Sequence, residues 1–167
     1  MESTTIATAS SDPTTPMPWD DVLDRLRSRT FYWEATVGPG GAPHVRPVFA
    51  VWVDGELCTT SEAVAGKARN LRANDQVSFS AEADDAHLVV EGRARRVTDP
   101  AELAAIRDAY HDKYGWPVEI EGDAFSAPYA APPVGDGPFE PWAVRPETVY
   151  FFGTAEGTHG RSARYRL

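Results

Sequence analysis

Cysteine is almost missing from this chain, with Cys58 the only one. An internal disulfide is therefore excluded, and no Cys/His cluster has the spacing that holds zinc. Long apolar runs are missing too; none approaches the ~18 residues that a membrane-spanning helix needs. Positive charge is in deficit, since 16 Lys and Arg stand against 25 Asp and Glu, a net charge of −9. That balance argues against nucleic acid or an anionic membrane as a partner. The N-terminal stretch has neither the basic start nor the apolar core of a signal peptide. A cytoplasmic protein in a reducing compartment is the expectation. The phosphate-binding GxxxxGK[ST] loop and a GxGxxG turn after a strand are both absent. No Ser/His/Asp order and no carboxylate pair stands out, so no catalytic side chain and no metal ligand is assigned.

What is present suffices for one domain with a real core: 167 residues, 42% of them hydrophobic and 11% aromatic. Residues 1–17 are rich in Ser, Thr and Pro and read as a flexible tail. Trp19, Val22, Leu23 and Leu26 then mark one face of a helix over about residues 18–29. FYWEATV, at residues 31–37, is aromatic and β-branched and reads as a strand ending at GPGG. PHVRPVFAVWV, at residues 43–53, has apolar groups on both faces and reads as one central strand, with Pro47 at an edge or bulge. Asp54-Gly55 is a hairpin turn leading into ELCTT.

A helix is expected over residues 62–73, capped by Thr60 or Ser61. QVSFSAEA and HLVVEGRARRV form two strands around Asp84-Asp85. Asp99-Pro100 opens a further helix, with Leu103, Ile106, Tyr110 and Tyr114 on its inner stripe and Gly115 at its end. Residues 116–141 are a long Pro/Gly-rich insertion, either a lid or an interface element. WAVRPETVYFFG, at residues 142–153, returns to strand character. The sum is mainly β with peripheral helices, a small six-stranded antiparallel barrel within a single domain over residues 18–167.

The chemistry concentrates in TTSEAVAGKARNLR, at residues 59–72. Helix N-termini attract anions, and Thr59, Thr60 and Ser61 add hydroxyls just before one. On a helix, Lys67 shares a face with Asn70 and Leu71, whereas Arg69 and Arg72 share another. Lys67 is thus a phosphate-facing candidate, and Arg72 reads as a surface charge. Arg46, alternating with apolar neighbours, needs either a carboxylate such as Glu82 or Glu91 or an anionic ligand. His44 reads as a strand-end histidine or a site residue. Cys58 reads as a small core residue.

Taken in order, ATVGPGGAPHVRPVFAVWVDGELCTTS, GKARNLRAND, VVEGRARRVTDPAEL, AYHDKYG and ARYRL resemble the flavin and deazaflavin oxidoreductases of the split β-barrel fold. This is the superfamily that includes pyridoxamine 5′-phosphate oxidase. The resemblance covers residues 19–114 and, more loosely, 142–167. It implies a homodimer with cofactor, coenzyme F420 or FMN, at the subunit interface and a small-molecule acceptor. It favours F420 through GKARNLRAND. It maps the ring-lining strand onto Arg46, Pro47, Val48, Phe49, Ala50 and Val51. The hydroxyls map onto Thr59, Thr60 and Ser61, and the helix contacts onto Lys67, Arg69 and Asn70. The C-terminal contact from the partner maps onto Arg164 and Tyr165. The alternatives are a split-barrel protein that binds a flavin, F420 or a haem-like ligand without turnover, and a pyridoxamine 5′-phosphate oxidase proper.

Overall fold

The computed structural model describes residues 1–5, 16–129, 137–158 and 161–167. They form eleven strands and three helices. The longest strand organises the rest. β10 (Phe139–Gly153) runs antiparallel to β7 (Ala86–Arg96) over most of its length. On its other edge the neighbour changes. From Phe139 to Val144 it pairs with β5 (Glu56–Glu62), and from Thr148 to Phe152 with β11 (Ser162–Arg166). The change falls at an irregularity between Pro146 and Thr148, where proline has no N–H to offer. One strand therefore serves two half-sheets, which is how this antiparallel barrel is split.

Outward from β7 follow β6 (Gln76–Ala83), β2 (Tyr32–Val37) and β3 (Pro43–Val48). β6 and β7 turn at Asp84-Asp85 as their sequence indicates. Outward from β11 lies β1 (Glu2–Thr5), in register from Glu2↔Arg166 to Thr5↔Ala163. The Ser/Thr-rich composition had placed residues 2–5 in a flexible tail; the exposed edge of β11 gives their backbone a ladder to join. The rest of that tail, residues 6–15, lies outside the described residues.

The stretch expected to be one central strand is two. β3 pairs only with β2 and so is an edge strand, while β4 (Ala50–Val53) pairs with β5. The chain breaks at Phe49, and α3 (Pro100–Tyr114) satisfies the exposed backbone there. Tyr110 donates its hydroxyl to the Phe49 carbonyl (3.1 Å) and Lys113 its ammonium to the Ala50 carbonyl (2.9 Å), while the Ala50 N–H donates to the Tyr114 hydroxyl (3.2 Å). Helix α3 is otherwise as the sequence indicates. Asp99 accepts from the N–H groups of Ala101 and Glu102, and Gly115 closes the helix at φ 61°.

α1 (Trp19–Arg27) buries Val22 and Leu26. Tyr32, Phe79, Leu88, Val144, Phe151 and Tyr165 join them in the barrel interior. A second cluster gathers Leu103, Ile106 and Tyr110 of α3 with Val51, Cys58, Trp116, Phe125 and Phe139. The last three belong to the insertion expected at residues 116–141. It carries a short hairpin, β8 (Glu119–Glu121) and β9 (Ala124–Ser126). Its residues 130–136 lie outside the described residues. The strand count exceeds six because β1, β4, β8, β9 and β11 are short segments that pattern alone does not resolve.

Candidate functional site

A cleft of about 290 Å³ opens where β3, the end of β5 and the start of α2 (Gly66–Ala73) converge. Its apolar wall is Pro47, Val48, Phe49 and Phe139; its polar wall is His44, Arg46, Thr60, Ser61, Glu62 and Lys67. Ala65 and Gly66 complete the rim. Phe49 is held flat by Tyr114, ring centroids 4.3 Å apart and 11° from parallel. Gly66 lies against His44, where a Cβ would stand 3.5 Å from Nε2, an ordinary contact distance.

Helix α2 starts later than expected. Thr60 and Ser61 sit in β5, and Ala65 occupies the cap position without a side-chain hydrogen bond. The hydroxyls therefore do not cap the helix. Its first N–H groups, with their positive dipole end, border the cleft uncapped. Ser61 donates to the Glu62 carbonyl instead.

Eight residues singled out from sequence line this one cleft: His44, Arg46, Pro47, Val48, Phe49, Thr60, Ser61 and Lys67. Others do not. Ala50, Val51 and Thr59 are buried beside it at 0–1% exposure. Asn70 donates its side-chain amide to the Thr36 hydroxyl at 3.0 Å, and Arg69 lies on the exposed face of α2. Arg46 is exposed, donates to the Val45 carbonyl, and pairs with neither Glu82 nor Glu91. Arg72 is a surface charge, as the sequence indicates, and reaches Glu140 of β10 and the Ala63 carbonyl. Tyr165, expected to reach across a subunit boundary, is 1% exposed and donates its hydroxyl to the Met17 carbonyl. Strand alternation explains the difference: Tyr165 points into the barrel while Arg164 points out.

Lys67 is 8% exposed. Its ammonium donates to Oε2 of Glu34 (2.8 Å) and to the Thr59 hydroxyl (3.2 Å). Glu34, at 1% exposure, went unnoticed in the sequence. The available signal was a carboxylate on the inward side of an aromatic strand, between Tyr32 and Thr36. Phe139 was read as part of the insertion, not the site. Among the described residues no cluster of His, Cys, Asp and Glu could hold a metal, and no helix is long and apolar enough to cross a membrane.

A sequence profile described as pyridoxamine 5′-phosphate oxidase matches residues 19–153. The chain belongs to this family. A search of curated protein sequences finds no match. Among solved structures, it is similar to a conserved hypothetical protein from Mycobacterium tuberculosis, at TM-score 0.66 and 20% identity, covering 87% of this chain and 90% of that one. It is similar to a haem-binding protein from Mycobacterium smegmatis, at TM-score 0.68 and 20% identity, covering 92% of this chain but only 59% of that one. It is also similar to an F420 reductase, at TM-score 0.56 and 25% identity, covering 81% and 98%. The split-barrel fold is common to all three.

Proposed function

We propose that this family member is a cytoplasmic oxidoreductase that seats coenzyme F420, or failing that FMN, in the cleft and reduces a small organic acceptor. One observation carries the reading. Arg46, the Pro47–Phe49 wall, Thr60, Ser61 and Lys67, distant in sequence, line the same cleft beside an uncapped helix start. That donor set suits a flat ring with a phosphate-bearing tail. Pro47, Phe49 and Phe139 offer apolar surface to the ring, while hydroxyls and backbone N–H groups offer hydrogen bonds to its polar edge and tail. The bound ring supplies the redox chemistry; the chain positions it and keeps water away. The likeness to an F420 reductase supports the cofactor order.

The reading includes a homodimer. The cleft, at about 290 Å³, sits at the lower end of the roughly 300–1,000 Å³ of ligand sites, and its outer wall is assigned to a second copy. One row of residues crosses the outer sheet face through consecutive pairings: Thr4, Arg164, Tyr150, Val89, Ser80, Trp33 and Pro47. Trp33 and Phe31 are each 53% exposed, and Val45 45%, an apolar patch that favours burial by a partner. A two-fold axis through the middle of this row carries the partner's Arg164 toward Trp33 and Pro47, beside the cleft.

Titrating the purified protein with F420 and FMN by fluorescence quenching tests the assignment. Binding tighter than high-micromolar to one of them is expected; neither binding would sink it. Tight binding without reduction of any enone, quinone or tetrapyrrole acceptor would reassign the protein as a binder.

A further inference from the structure

The cleft's buried cation already has an anion. Lys67 has three ammonium N–H donors. Two are spent on Glu34 and Thr59, at 2.8 and 3.2 Å. Glu34 does not line the cleft but stands behind Lys67, with its side chain fully buried. Its second oxygen, Oε1, is buried with no hydrogen-bond partner among the described residues. Among the described residues Lys67 is the one charged partner of the carboxylate, and together the two carry no net charge. What remains toward a ligand on this side is one N–H of Lys67, the hydroxyls, and the N–H groups at the start of α2, with His44 and the exposed Arg46 on the β3 side of the cleft.

We propose that Glu34 is a positioning residue that sets which phosphate the cleft accepts: a singly charged phosphodiester, not a doubly charged phosphomonoester. The inference rests on the proposed cofactor site and narrows it. A phosphomonoester carries about −1.5 to −2 charges at neutral pH, more than a lysine already paired with Glu34 offsets. A phosphodiester carries one charge and needs fewer donors, matching what the pair leaves available. The deazaflavin F420 bears a phosphodiester and FMN a phosphomonoester, so Glu34 biases the cleft toward the former. Removing its charge while keeping its shape releases Lys67 to a dianion.

The test compares dissociation constants for riboflavin, FMN and F420 in the wild type, Glu34→Gln, Lys67→Met and the double variant. In the wild type, FMN is expected to bind within about threefold of riboflavin. In Glu34→Gln the preference for FMN over riboflavin should rise about tenfold, the scale of one released charge-assisted hydrogen bond. F420 should gain less. The gain should shrink at pH 5.5, where the monoester loses its second charge. It should vanish in Lys67→Met and in the double variant. A merely structural Glu34 would move all ligands alike and show no such pH dependence.

An unchanged FMN-to-riboflavin ratio in Glu34→Gln overturns the proposal. So does a wild-type preference for FMN above about tenfold that Lys67→Met abolishes, and this arm needs no Glu34 variant to fold. If none of the three ligands binds the wild type, the cofactor reading fails separately. Inorganic phosphate then decides the role of Glu34. A melting temperature that rises with phosphate in Glu34→Gln but not in the wild type supports it, and equal responses overturn it.

Discussion

Cys58 and Lys113 show how burial alone sets chemistry here. Cys58 lies under α3 at 1% exposure, and desolvation pushes its thiol up to about 12. It is a core atom, not a nucleophile. A thiol reagent at pH 8 should leave the native protein untouched and label it fully in denaturant; rapid native labelling would contradict the packing. Lys113 moves the other way. Desolvation first, then the Arg29 charge, brings its amine from 10.5 down to about 8. Between these values the unfolded chain holds more protons than the native one, so stability contributed by this group rises with pH across about 8 to 10.5 and is lowest below 8. Burial raises the tyrosines Tyr32 and Tyr110, so they pull stability down above their ordinary 10. The difference between wild type and Lys113→Met cancels the tyrosines. By urea denaturation at pH 7.5 and 10, that difference should shift in favour of the wild type as pH rises.

At the scale of elements, two close fits hold the barrel. Gly92 of β7 faces the irregularity in β10, where a Cβ would lie 2.2 Å from the Arg145 carbonyl oxygen. Gly92→Ala must push the two strands apart and should cost about 3 kcal/mol or more. Tyr110→Phe withdraws a hydroxyl shared by the Phe49 and Cys58 carbonyls, at a cost of about 1–2 kcal/mol. Denaturant midpoints at unchanged slope measure both. Legibility in the sequence followed the range of the interaction. Helix α3 was legible to its ends because Asp99, Pro100 and Gly115 act locally. The β6–β7 hairpin was legible because its alternation and turn lie within twenty-odd residues. The break at Phe49 was not, because the side chains that sustain it stand over sixty positions away on α3. Lys67 was recognised as a site residue, yet its ion pair was hidden, since Glu34 lies 33 positions earlier. Thr60 and Ser61 were placed at the cleft for the wrong local reason: they end a strand and do not cap a helix.

For the whole molecule, the outer sheet face is the feature with most at stake. Trp33→Asp puts a charge into the proposed interface while leaving the core intact, because that side chain is half exposed in the single chain. Light scattering should then find a folded monomer in place of a dimer, and cofactor affinity should fall with it because the partner's wall is lost. A variant that remains dimeric would place the interface elsewhere.

The edge of that same sheet sets a limit of another kind. β3 has one neighbour, and Pro43 and Pro47 occupy two of its six positions. Neither can donate to an incoming strand, so a further chain meets gaps in the ladder it would have to complete. Growth by adding strands edge to edge is thereby discouraged on this side, while the proposed two-fold pairing of faces would consume its own apolar surface. The prolines act as a stop that favours a closed particle over an open-ended fibre.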